Sequence, residues 1–444
     1  MRAMLVSPGA LLAVLLLAPL AAAELEVMAQ WGLLDYAAPY NFPGSDGAAA
    51  SSWLFTGFEV GWDKIYLATP RFQPGLPATL GWIPRPAHAG LAESPKLQAY
   101  PSWDWHLAAA SGNGKANNCS GLVSVFRIRA DRCNRLWVLD SGVSDTLATF
   151  SVDCPPKLLI FDMATDRLLR VVVFPQAVLR LNSLLTNFVI DDVSRGPPTT
   201  PGSCDNAYVY LSDTTAPGLV VYDVQKDSAW RISHPSMFPS PDHGTYKVEL
   251  GVGVGVLPLV RHPLASTHSP PCSSPQVAGE SFTLMDGLIG LALSPALNAA
   301  GMAKVLYYQP FASDRIFAVA TAALQTQPKD DGDLPVALVG TKSSQAAPLA
   351  VDPRDGALIF SPVSETAVAA WEPLSNQHRV LAYNPALLQF VLDMRVAERD
   401  SSQLWLISTR FQKFFRRTVN PREVNLRIMR VTAAPDVLNN ALVF

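Results

Sequence analysis

Residues 123–174 read VSVFRIRADRCNRLWVLDSGVSDTLATFSVDCPPKLLIFDMATDRLLRVVVF, and this stretch decides the fold. Four apolar runs, 123–129, 136–140, 157–162 and 168–174, are separated by Asp, Asn, Gly, Ser and Pro, the residues that favour tight turns. Each run is too short for a helix and rich in β-branched and aromatic residues. The stretch therefore reads as one four-stranded antiparallel sheet. The next 60 residues repeat the rhythm, with strands expected at 188–191, 207–213, 218–223 and 230–233.

Working outward, the second strand of this unit recurs six times. It is found at 65–69, 136–140, 207–213, 305–308, 358–361 and 404–408, in each case an apolar run that ends at or near a short polar side chain. A four-stranded blade needs about 40 to 45 residues, so the wider intervals must hold loops. The largest interval contains a Gly, Val, Pro and Ser-rich stretch, read as an inserted loop around 251–280. Six copies predict an all-β, six-bladed β-propeller; a pair of β-sandwiches is the alternative. The last blade shows three strands before the chain ends, and residues 25–31 form a strand-like run without a partner. Lending that run to the last blade closes the ring by the N-terminal strand and removes an exposed edge.

Residues 1–23 predict a secretory signal peptide: Arg2, an apolar stretch from Leu11 to Leu20, and Ala21, Ala22 and Ala23 before Glu24. Pro8, Gly9 and Pro19 interrupt a run already shorter than the ~20 residues of a membrane anchor. The expected product is one secreted propeller domain over 24–444 with no membrane attachment. Thirty-four Lys and Arg stand against 37 Asp and Glu, a formal charge of −3, which argues against nucleic acid as a partner. The run Lys413 to Arg417 is read as a solvated strand end. Oligomeric state is not legible.

Five cysteines entering an oxidising compartment give two pairs and one left over. Blade topology selects among the pairings. Cys133 and Cys204 both fall in turns between first and second strands, on one face of the ring. Cys119 precedes a first strand and Cys154 follows a second strand, on the opposite face. Cys119–Cys154 and Cys133–Cys204 are therefore predicted, with Cys272 free. Asn118-Cys119-Ser120 is a candidate glycosylation sequon at Asn118.

Several motifs resemble the yellow / major royal jelly protein family of insects. They include Gly61-Trp62-Asp63-Lys64, Thr69-Pro70-Arg71, Tyr100-Pro101-Ser102-Trp103, the run from Asp131 to Asp140, Cys154-Pro155-Pro156, and the run from Asp286 to Pro295. They occur in the family's order over most of the chain. The resemblance implies a secreted six-bladed propeller whose members include dopachrome-converting enzymes, amine binders, pigment-patterning cuticle proteins, eggshell components and jelly proteins. Two departures are the Gly/Pro/Ser-rich insertion and Ala370, which stands where the family is expected to carry a cysteine.

The leading expectation is a role in extracellular melanin or cuticle pigmentation, with a catechol, indole or small aromatic amine bound at the propeller channel. A dopachrome-converting (tautomerase-like) enzyme and a structural cuticle or eggshell component remain alternatives, and no catalytic residue can be assigned. By the resemblance, the ligand sits at one channel mouth near Ser343, Gln345 and Phe360, with Asp286 among the strand-end acids able to meet an ammonium group. The other such acids, Asp63, Asp140, Asp191 and Asp213, are expected first to satisfy turn amides. Trp62, Trp103, Trp105, Trp137 and Phe360 could stack an indole or catechol ring and attract an ammonium group, but most of them are expected to pack between sheets. No hydrolase motif, phosphate loop or metal-spaced His pair is present, so neither a cofactor nor a metal is expected. The seven histidines are read as surface or loop-capping residues.

Overall fold

The computed structural model describes residues 24–432 except 48, 91, 111–117, 195–196, 201, 249–259, 262–278, 296–303 and 328–333. The expected signal peptide, most of the 251–280 insertion and Cys272 lie outside the described residues.

Six antiparallel sheets form a six-bladed β-propeller. Blade 1 is Gly57–Val60, Lys64–Ala68, Leu80–Pro84 and Gln98–Ala99; blade 2 is Val125–Ala130, Arg135–Asp140, Lys157–Asp162 and Leu168–Val173. Blade 3 is Leu185–Asp192, Ala207–Asp213, Gly218–Asp223 and Ser228–Ile232. Blade 4 is Leu288–Leu293, Val305–Pro310, Arg315–Ala320 and Ala337–Lys342, with Val260–Arg261 added at its edge. Blade 5 is Leu349–Val351, Leu358–Phe360, Ala367–Glu372 and Gln377–Tyr383. Blade 6 is Phe390–Ala397, Gln403–Thr409 and Leu426–Thr432, followed by Glu24–Trp31 and then the short strand Ala92–Glu93. First strands line the axis, each packed on the first strand of the next blade, and that of blade 6 on that of blade 1.

The second strands are apolar without alternation because both sides of each sheet are covered by neighbouring blades. Leu136, Trp137, Val138 and Leu139 are all fully buried. The fourth strand of blade 2, facing outward, instead leaves Leu169, Val171 and Val173 about half exposed. Glu24–Trp31 runs antiparallel to Leu426–Thr432, from Glu24 opposite Thr432 to Trp31 opposite Leu426. Met28 and Trp31 are fully buried, and the Trp31 indole N–H donates to the Pro95 carbonyl at 2.8 Å.

Both predicted disulfides are present. Cys133–Cys204 joins the first-to-second-strand turns of blades 2 and 3, with Cα atoms 6.1 Å apart. Cys119–Cys154 ties the crossing into blade 2 to the loop after that blade's second strand, Cα atoms 5.6 Å apart. Gly142 has φ 69°, and a side chain there would collide with the Cys154 carbonyl, so this corner requires glycine.

Two expectations are corrected. Lys413 to Arg417 is no strand end: Phe411–Arg416 is a short helix whose Phe411 and Phe414 are buried, while Lys413 pairs with Glu423 at 2.9 Å. His106 is no surface histidine but fully buried, its Nε2 donating to the Tyr100 carbonyl at 3.1 Å while Nδ1 accepts from the Thr79 amide. Burial pulls its pKa down to about 3, so the ring stays neutral in the fold.

Candidate functional site at the channel mouths

The channel has two mouths, and local structure differs between them. One face carries the blade-to-blade crossings; the other carries the tight turns after each first strand.

On the crossing face, the insertion before blade 4 begins and ends in a hairpin, Thr245–Val248 paired with Glu280–Thr283. Its buried rings join those around the axis. Tyr246 stacks on Phe282 with centroids 4.9 Å apart, and Tyr246–Phe311, Phe282–Phe415 and Phe390–Phe411 lie 4.8, 5.0 and 5.0 Å apart. Gln345 holds the hairpin in place: its side-chain amide donates to the carbonyls of His243 and Thr245 at 2.7 and 2.8 Å.

Asp286 follows the hairpin, and its backbone carbonyl accepts from the Ala312 amide at 3.0 Å. Its carboxyl makes no hydrogen bond or ion pair among the described residues, and burial pushes it up to about 6. Within electrostatic reach is the Tyr246 hydroxyl, which has no hydrogen-bond partner and is raised well above its usual value, by burial first and then by Asp286. At the end of the fourth strand of blade 4, Lys342 is buried with Nζ 3.5 Å from the Ser313 carbonyl, and burial pulls its ammonium down to about 7 against the opposing charge of Asp314. Asp314 also lies 3.5 Å from His243.

The structure thus gathers Asp286, Gln345 and Ser343 on this face. Gln345 has spent its donors on the hairpin, and Ser343 is exposed. Phe360 is set apart: it is fully buried between blades 4 and 5 with Ile316, Leu349, Leu358 and Trp371. A ligand would meet that ring only by displacing this packing. Asn118 is exposed, its side-chain oxygen accepting from the Ser120 amide.

The other strand-end acids divide by position. Asp140 caps the amides of Val123, Ser124 and Gly142, and Asp213 those of Leu184 and Ala216. Asp191 is buried against Lys304 at 2.6 Å and Tyr210 at 2.9 Å, whereas Asp63 is exposed.

Along the axis lies a charged network that sequence reasoning missed. Strand pairing shifts register at the same place in blades 2, 3 and 6, just before Arg127, Asn187 and Asp393. Asp393 is 2.8 Å from Arg127 and accepts from both terminal nitrogens of Arg129, at 2.9 and 3.1 Å, while Arg129 also reaches Asn187 at 3.2 Å. Charged residues inside the apolar strands 125–130 and 390–397 were the available signal. On the turn face this network floors a cavity of about 380 Å³, walled by residues that include Ile190, Leu291, Leu293, Val351, Met394 and Val396.

A ring of six β-sheets with a polar axis, one mouth roofed by a hairpin and two cross-linked corners, defines a disulfide-bearing six-bladed propeller. The family profile described as Major royal jelly protein matches residues 123–251 and 260–442, and the chain belongs to this family, which includes the yellow proteins. Among its relatives is a dopaminechrome tautomerase of Drosophila melanogaster, 26% identical over 437 residues, covering 94% of this chain and 84% of that one. Protein yellow of Drosophila erecta and of Drosophila melanogaster are each 28% identical, covering 95% of this chain and 72% of theirs. A solved luciferin-regenerating enzyme superposes with TM-score 0.46 at 9% identity over 93% of this chain and 96% of its own, too loose a likeness to bear on function. Among the described residues no helix is long and apolar enough to cross a membrane, and the two disulfides are consistent with an oxidising compartment.

Proposed function

We propose that this protein is secreted and acts in extracellular pigmentation chemistry, binding a catechol- or indole-derived aromatic amine at the crossing-face mouth. The observation that carries this reading is the Asp286 carboxyl there, which makes no hydrogen bond or ion pair among the described residues. At neutral pH Asp286 is mostly ionised and suits an ammonium group. Gln345 and Ser343 shape the rim rather than grip the ring. Family membership and the relatives' names support the pigmentation setting. The alanine-rich stretch before Glu24 supports export.

A second reading is favoured by the same carboxyl. A base with pKa near 6 is suited to take a proton from the ring carbon of an aminochrome at neutral pH, and a relative aligned over 94% of this chain is named dopaminechrome tautomerase. Incubation of the purified protein with dopaminechrome separates the readings. Heat-sensitive acceleration of its absorbance loss, abolished in Asp286→Asn, supports conversion. Quenching of tryptophan fluorescence by dopamine without turnover supports binding alone. Neither signal would defeat the proposal and favour a structural role.

A further inference from the structure

We infer that the turn-face cavity is a second site, independent of the crossing-face mouth, and that it takes a small organic monocarboxylate with an apolar or aromatic body. Beneath it three guanidinium groups, Arg127, Arg129 and Arg395, face two carboxylates. Asp393 serves Arg127 and Arg129, and Glu59 serves Arg395 at 3.2 Å. One positive charge is left uncompensated in a buried setting, where an unpaired charge is costly. The guanidinium Nε atoms bear this out: those of Arg127, Arg129 and Arg395 are all buried without hydrogen-bond partners. Burial already draws Arg129 down to about 10 despite Asp393.

Arg129 and Arg395 line the cavity, and Arg395 remains about a quarter exposed there, so its guanidinium is reachable. The rim offers little competing charge. Arg132 is paired with Asp192, Asp131 is occupied by Arg135 and by the Trp137 indole N–H, and Glu398 is exposed at the edge. The walls carry aliphatic side chains alongside the polar ones. A carboxylate on the floor with an apolar ring against Leu291, Leu293, Val351 and Met394 satisfies the charge and fills about 380 Å³, the size of a small-molecule pocket. A multiply charged phosphate would overcompensate one net positive charge and leave the aliphatic walls wet.

Titration calorimetry with indole-3-acetate, with tryptamine as the cationic analogue, tests the inference. Asp286→Asn, whose crossing-face mouth lacks its ammonium partner, is expected to bind indole-3-acetate at least tenfold more tightly than tryptamine. Arg395→Gln is expected to lose at least tenfold, as is Ala350→Trp, which fills the cavity and keeps the test alive if the arginine variant does not fold. Asp286→Asn should bind indole-3-acetate as wild type does, which separates this site from the other mouth. Equal binding of tryptamine and indole-3-acetate by Asp286→Asn, unchanged indole-3-acetate affinity in folded Arg395→Gln or Ala350→Trp, or loss of indole-3-acetate binding in Asp286→Asn would overturn the assignment.

Discussion

Arg129 and Asp393, 264 residues apart, meet across the propeller axis through two parallel hydrogen bonds of 2.9 and 3.1 Å. Each is about 95% buried, so the pair joins blade 2 to blade 6 where water contributes little. Burial alone would raise the Asp393 carboxyl, but Arg127 and Arg129 outweigh it and hold it below its ordinary value. Replacing Asp393 by Asn leaves buried guanidinium charge unpaired and should cost about 3 to 5 kcal/mol in denaturant unfolding. The pH dependence follows from the depressed pKa: the stabilisation is present above about pH 4 and is lost as pH falls through the folded-state value. Equal stability of wild type and variant at pH 7 would remove the pair from the core of the fold.

Trp31 tests the role of the N-terminal strand in the ring. Its indole is fully buried in the ladder opposite Leu426, so Trp31→Ala should cost about 3 to 5 kcal/mol. A change below about 1 kcal/mol in chemical unfolding would make the strand a passenger on blade 6 and not its closing element.

Phe360→Ala should behave as a core substitution, lowering stability by about 3 to 5 kcal/mol and leaving dopamine affinity of the folded protein within a factor of two. A melting curve and a titration on the same preparation read both quantities. A large loss of affinity at unchanged stability would return Phe360 to the ligand site.

The Asp286 carboxyl is shifted in the opposite direction to that of Asp393. Its folded pKa of about 6 lies above the unfolded value, so the native state holds more protons between about pH 4 and 6 and stability falls as pH rises through that window. Asp286→Asn removes this penalty and should be more stable than wild type at pH 7.5, by about 1 kcal/mol after solvent screening, with the gain gone at pH 4. Thermal melts at the two pH values decide it, and a variant less stable at pH 7.5 would show that the carboxylate has a structural partner.

What the sequence made legible follows from which forces act locally. Strand positions such as 207–213 were readable because turn residues bound each apolar run, and the disulfides because topology alone assigns Cys133 and Cys204 to one face. The contact of Arg129 with Asp393 was not readable, since it depends on register shifts in two strands and on ring closure. Phe360 was misleading for a different reason: in a sheet covered on both sides, alternation no longer tells which side a ring faces. The helix at Phe411 was available, because Phe411, Phe414 and Phe415 stand three and four residues apart, a helical spacing that its basic residues obscured.

The central claim is that Asp286 meets the ammonium group of an aromatic amine at the crossing-face mouth. Calorimetric titration of dopamine into wild type and Asp286→Asn at pH 7.5 tests it most directly. The account predicts one site per chain in wild type and at least tenfold weaker binding in the variant. Absence of binding to wild type, or equal affinity in the two proteins, would contradict it.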